Sequence, residues 1–196
     1  MTDRMPKAIE QLQIDHRNMT RLLHLLRREL DAYRGGATLD FELLNSIMNY
    51  TLNYPDLCHH PAENLIYERM VARDPQAKST VGDLLKEHAH LGELTRKLAA
   101  ALQNIARDSE IPRSWFESIV EDYLTSNERH IAGEEKIFFP QAALALRPED
   151  WDAIEASAGG KEDPLFGGKV AKDYRALYER IMRSAVQAAP ATASRP

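Results

Sequence analysis

The chain has 196 residues, enough for one domain with an appendage and a sizeable buried core. Hydrophobic residues make up 43% and charged residues 28%, and the formal net charge of -5 removes any electrostatic case for nucleic acid or an anionic membrane surface. Cys58 alone makes no intramolecular disulfide, no apolar run approaches the ~20 residues of a spanning helix, and the opening MTDRMPKAIE lacks a secretion signal's apolar stretch, so a cytoplasmic protein is expected.

In the first element Ile9, Leu12, Met19, Leu23, Leu26, Leu30 and Tyr33 trace one helical stripe, with His16 filling the position between Leu12 and Met19. Gly35-Gly36 ends it. The second element carries Phe41, Leu44, Met48, Leu52, Ile66 and Met70 on one face, with His59 and Glu63 at stripe positions. Pro55 and Pro61 interrupt that pattern, so a kink or irregular turn is expected close to His59. Asp74-Pro75 reads as a cap or turn. The third stripe is Val81, Leu84, Leu91, Thr95, Leu98, Leu102 and Ile105, with His88 in the gap. After an early Pro112, the fourth holds Phe116, Ile119, Tyr123, His130, Glu134 and Ile137, and Pro140 should kink or shorten its end.

Short connections between such helices predict an all-α, up-down-up-down antiparallel four-helix bundle over residues 1–146. Residues 147–188 read as a C-terminal helical extension packing on the bundle. It has a short helix from Pro148 through Trp151, a loop from Gly159-Gly160 to Gly167-Gly168, and a helix with Val170, Tyr174, Leu177 and Ile181. Residues 189–196 are small and polar and are expected to be disordered.

Each bundle helix thus puts one histidine where its stripe calls for an apolar side chain. Two of them add a glutamate one helical turn later, in H59-H-P-A-E63 and H130-I-A-G-E134. Burying unpaired carboxylates is costly, and the usual remedies are a partner charge or a metal. The pattern is doubled: His16 to His88 spans 72 residues, while His59 to His130 and Glu63 to Glu134 each span 71. Counted from the intervening turns, the four histidines lie at depths that agree to within about one helical turn, so their imidazoles should meet in one layer. Four imidazoles and two carboxylates form a mixed N/O set suited to iron, manganese or zinc. If each metal took two histidines, both glutamates and a shared oxo or hydroxo group, an octahedral ion would keep one position open for a small ligand.

These fragments, I-D-H16-R, H59-H-P-A-E63-N-L-I-Y, K-E-H88-A-H-L and H130-I-A-G-E134-E-K-I-F-F-P, resemble the hemerythrin-like, or HHE cation-binding, family. The resemblance covers residues 14–140. It implies an oxo-bridged pair of iron ions in a four-helix bundle, with His16 and His88 as ligands from helices one and three, and His59, Glu63, His130 and Glu134 from the two HxxxE pairs. Oxygen-carrying members differ from this chain. They place a second histidine where Gly92 stands, and their fourth-helix acid would correspond to Glu135. The internal repeat favours Glu134 and leaves Glu135 in reserve.

Among the remaining candidates, His60, His90 and His24 lie off the stripes and are expected at the surface or behind the ligands. Cys58 reads as a buried inert thiol, and Tyr54 and Tyr123 as core aromatics within reach of a bound oxygen species. The functional expectation is binding of dioxygen, nitric oxide or peroxide for sensing, storage or detoxification, with a protein redox or regulatory partner possible in principle. The competing readings are an iron-sensing module that signals by metal-dependent folding and a metal-free interaction bundle. Reversible binding is better supported than catalysis, because no substrate pocket or partner-cofactor motif is evident.

Overall fold

A computed structural model describes residues 5–107, 111–157 and 162–188, and every regular element within them is helical. Helix α1 (Lys7–Arg34) buries its predicted stripe from Ile9 to Leu30 together with Leu22 and Leu25, while Tyr33 at its end is half-buried. It stops where Gly36 adopts φ 97°, a left-handed conformation that glycine enters without a Cβ clash. Helix α2 (Phe41–Asn53) is capped by Asp40, whose carboxylate accepts the Leu43 N–H at 3.0 Å.

A π-helical turn (Pro55–His59) joins α2 to α3 (His60–Arg73). Pro61 has no N–H to offer a carbonyl four residues back, so the preceding turn takes in one extra residue, and the His60 N–H donates to the Pro55 carbonyl. This is the irregularity that the prolines predict near His59. A short α4 (Ala77–Val81) follows, then α5 (Leu84–Ala106). Val81 does not begin the third long helix as its place in the stripe suggests. Gly82, at φ 90°, breaks the chain between the two, and its carbonyl accepts the Tyr67 hydroxyl at 2.9 Å.

Helix α6 (Arg113–Gly133) leads into a second π-helical turn (Glu134–Phe138) and α7 (Phe139–Ala145). Pro140 plays the part of Pro61, and the Phe139 N–H donates to the Glu134 carbonyl. The extra residue moves the apolar stripe forward by one. Ile137, expected on the buried face, is 44% exposed, and Phe138 takes its place at 1%.

The extension contains α8 (Pro148–Ser157), a 3-10 turn (Lys172–Tyr174) and α9 (Arg175–Ala188). Val170, expected on the last helix, precedes it. The predicted loop start at Gly159-Gly160 and the tail at residues 189–196 lie outside the described residues. Asp163 ties the connecting segment down: it accepts the Leu165 and Phe166 N–H groups at 2.8 and 3.0 Å and the Tyr50 hydroxyl at 3.0 Å. Gly167 is required there, since a Cβ would lie 2.4 Å from the Asp163 carbonyl oxygen. Leu165 is fully buried in consequence, worth roughly 1.5–3 kcal/mol in apolar burial.

Helix α1 packs on α6, α6 on α5 and α5 on α2, while α3 meets α5, α7 and α8, and α9 lies against α1 and α2. The apolar interior forms two clusters. The larger includes Leu26, Leu44, Leu98 and Leu124 with Leu165, Leu177 and Ile181 of the extension. The smaller gathers Ile9, Ile66, Phe138 and Phe139 with Trp151 and Ile154. Along α1 the smaller cluster takes Ile9 and Leu12 and the larger begins at Leu22, with Asp15 and His16 buried between. No helix among the described residues is long and apolar enough to cross a membrane.

Candidate metal centre

The six residues singled out by the stripes converge. His16 comes from α1, His59 from the end of the first π-turn, Glu63 from the first turn of α3, His88 from α5, His130 from the last turn of α6, and Glu134 from the start of the second π-turn. All are at most 7% exposed. Glu63 Oε1 lies 3.3 Å from His16 Nε2 and 3.2 Å from His59 Nε2, and its Oε2 lies 3.4 Å from His88 Nε2. Glu134 Oε2 lies 3.2 Å from His16 Nε2 and 3.1 Å from His130 Nε2, and its Oε1 lies 3.4 Å from His88 Nε2. The Nε2 atoms of His88 and His130 are themselves only 3.1 Å apart. Each carboxylate therefore touches imidazoles from both sequence halves. Glu134 occupies this centre, whereas Glu135 lies outside it.

Apart from the contacts of His88 Nε2 with His130 and with Glu134 Oε1, these short separations are not hydrogen bonds. The Nε2 atoms of His16 and His59, both oxygens of Glu63 and Oε2 of Glu134 are buried with no hydrogen-bond partner. Such orphaned groups each cost about 1–3 kcal/mol in a dry interior. A cation binding N and O at about 2.0–2.2 Å sets neighbouring ligand atoms roughly 3 Å apart, which matches the spacing seen. The donor set fits a metal centre, and two groups of potential ligand atoms share Glu63: His16, His59 and Glu63 in one, His60, Glu63, His88 and His130 in the other.

Behind the centre, each of the four histidines has its Nδ1 beside an oxygen acceptor, the arrangement that fixes a tautomer and orients a ligand. Asp15 Oδ2 faces His59 at 3.2 Å, Asn64 Oδ1 faces His88 at 2.7 Å, Glu87 Oε2 faces His130 at 3.2 Å, and Glu135 Oε1 faces His16 at 2.9 Å. The acceptors form a closed ring. Each stands next in sequence to a candidate ligand yet faces the histidine of the next ligand-bearing segment along the chain, and the last returns to the first. Gln11 and Gln13 donate to Asp15 and Glu135 at 3.0 and 2.8 Å, holding two of the acceptors in turn. Asp15, Asn64 and Glu87 were not singled out from the sequence, and Glu135, held there in reserve as a ligand, instead backs His16. The available signal was an oxygen acceptor adjacent to a candidate ligand in D15-H16, E63-N64, E87-H88 and E134-E135.

The electrostatics follow from this packing. Burial opposes charge on His16, but the closely approaching carboxylates of Glu134 and Glu63 outweigh it and raise the imidazole to about 10. His59 is raised to about 9 against the same burial by Glu63 and Asp15. Burial pushes Glu63 up, yet His59 and His16 hold it well below the usual carboxylate range. Glu134 is also lowered: burial and the Glu63 charge oppose ionisation, and His16, His88 and His130 prevail. In the metal-free protein, protons on the imidazoles balance the two carboxylates.

The other candidates divide. His24 and His90 are exposed as expected. His60 is not: only 5% exposed, it stacks on His88 with ring centroids 4.4 Å apart. Cys58 is half-buried rather than enclosed, and it lines a cleft of about 530 Å³ together with Tyr54, Asp15, His59 and residues of α8. The Tyr54 hydroxyl reaches Asp15 at 3.4 Å, while Tyr123 faces Thr51 at 3.5 Å within the core.

An all-helical protein with imidazoles and carboxylates meeting between two apolar clusters belongs to the cation-binding helical proteins. The chain is a member of the hemerythrin HHE cation binding domain family, whose model matches residues 7–142. No curated protein and no solved structure matches it.

Proposed function

We propose that this protein holds two iron ions between His16, His59, Glu63, His88, His130 and Glu134 and binds a small ligand, dioxygen, nitric oxide or peroxide, at an open iron position. The observation that carries the reading is the set of buried Nε2 and carboxylate atoms facing one another at 3.1–3.4 Å, five of which have no hydrogen-bond partner: Nε2 of His16 and His59, both oxygens of Glu63 and Oε2 of Glu134. Glu63 and Glu134 each reach imidazoles of both halves, as two shared cations require. Iron would supply reversible ligand binding at a coordination position that no protein atom fills, and manganese or zinc suits the same donors. The chain's own part is to orient the imidazoles through Asp15, Asn64, Glu87 and Glu135, to exclude bulk water with the two apolar clusters, and to admit a small molecule along the cleft beside His59. Sensing, storage or detoxification in the cytoplasm is the role this supports.

The same reading takes residues 1–146 as an up-down-up-down bundle and residues 147–188 as an extension docked on it. Short connections and the packing of α1 on α6, α6 on α5 and α5 on α2 support that topology.

Freshly purified protein should contain two irons per chain, and His59→Ala or Glu134→Ala should lose much of that metal. The visible spectrum of the iron-loaded protein should change under dioxygen or nitric oxide. Iron content unchanged in both variants would refute the ligand assignment. A spectrum indifferent to both gases, with helices that loosen on chelation, would assign the iron-sensing role instead.

A further inference from the structure

We propose that His60 is a fifth imidazole ligand, joining His88, His130 and Glu63 around one cation and making the two metal positions unequal. This rests on the two-metal reading above and adds to it a residue outside the HxxxE pattern.

The π-helical turn Pro55–His59 is what brings His60 inward. Its extra residue lets two consecutive side chains face the interior, His59 towards His16, with centroids 4.9 Å apart, and His60 towards His88. The potential ligand atoms of His60, Glu63, His88 and His130 all lie within 4.8 Å of one another. His60 Nε2 is buried with no hydrogen-bond partner. Its Nδ1 is turned to Asp56 Oδ1 at 3.5 Å, so the ring shares the attitude of His59, with Nδ1 towards an acid and a buried Nε2 without a hydrogen-bond partner. A histidine retained only to pack on His88 would leave that Nε2 orphaned at a cost an apolar ring would not incur. Coordination removes the cost.

The division of ligands follows. His60, His88 and His130 serve one ion, and His16 and His59 serve the other, with Glu63 and Glu134 between them. His59 and Asp15, on the side of the His16–His59 ion, line the cleft, so a small molecule would reach that ion first.

The test loads the metal-free full chain with cobalt(II) and records proton spectra in water, where each ligating imidazole contributes one solvent-exchangeable, hyperfine-shifted N–H signal. Five such signals are expected from the wild type and four from His60→Ala. Zinc titration should show one of the two ions bound at least about 100-fold more weakly in His60→Ala, beyond the loss usual for an outer-sphere partner. His60→Gln, which keeps a polar side chain of similar reach, tests packing separately and should also show four signals. Two ions bound by the wild type with four signals, or a count unchanged by both substitutions, overturns the role of His60 alone. Failure of the wild type to take up two ions overturns the two-metal reading beneath it.

Discussion

The two HxxxE turns place their extra helical residue on opposite sides of the ligand pair. At H59-H-P-A-E63 the π-helical turn ends on the histidine, so the residue after it, His60, is drawn inside beside His88. At H130-I-A-G-E134 an unbroken α-helix carries the histidine, and the π-turn begins on the glutamate. There the extra residue acts downstream, aiming Glu135 at the back of His16 and burying Phe138 in place of Ile137. Both pairs keep their i, i+4 relation, with Nε2 to carboxylate distances of 3.2 and 3.1 Å. A single-residue insertion therefore leaves the pair itself untouched and decides which neighbours accompany it.

Glu63→Ala should have the largest effect, because Glu63 touches imidazoles on both sides of the centre. Metal analysis should find both ions lost. Denaturant unfolding should show the metal-free variant destabilised by about 3–5 kcal/mol, since protonated His16 and His59 lose a buried counter-charge. Retention of one full equivalent of metal would break the claim that Glu63 serves both positions. Phe138→Ala tests the downstream turn directly and should cost about 3–5 kcal/mol on the same measurement, as a large buried aromatic does.

The acceptors behind each pair come next. Asp15→Ala should loosen the hold on His59 and Glu135→Ala the hold on His16, each weakening metal affinity by about 10–100-fold in competition with a chelator. Equal affinities in wild type and both variants would show that the ring of acceptors does not orient the ligands. The pH dependence should be milder. With His16 raised to about 10 and His59 to about 9, their protons stabilise the metal-free fold fully below about pH 6.5, and that contribution is lost as pH rises through 9 to 10. The lowered Glu63 and Glu134 act in the opposite sense, contributing above the usual carboxylate pKa and losing their contribution as pH falls. Thermal melting of the metal-free protein should therefore fall between pH 7 and pH 10, while the metal-loaded protein changes less and releases protons on loading. Ile137→Ala should do least, within about 0.5 kcal/mol. A loss comparable to that of Phe138→Ala would mean that the π-turn does not shift the stripe.

Much of the centre was legible because burying a polar group is expensive enough to stand out. His16, His59, His88 and His130 interrupt four apolar stripes, and Glu63 and Glu134 follow at one helical turn. Pro61 and Pro140 marked where the helices deform, since a missing N–H is a local fact of sequence. They did not show how the chain would respond. A kink, a break and a π-turn all relieve the same proline, and only the π-turn turns His60 inward and Ile137 outward.

The acceptor ring was harder to read for a related reason. Asp15, Asn64, Glu87 and Glu135 each sit beside a candidate ligand in sequence, yet each faces a histidine on another element. Sequence by itself determined the helical periods, the polar gaps in them and the one-turn spacing of the ligand pairs, because those depend on backbone geometry within a single helix. Which side chain faces which across the interior, and which of His59 and His60 meets which half of the centre, was decided by tertiary structure. Those contacts depend on helix rotation and depth, quantities set by how two apolar clusters pack around a polar layer.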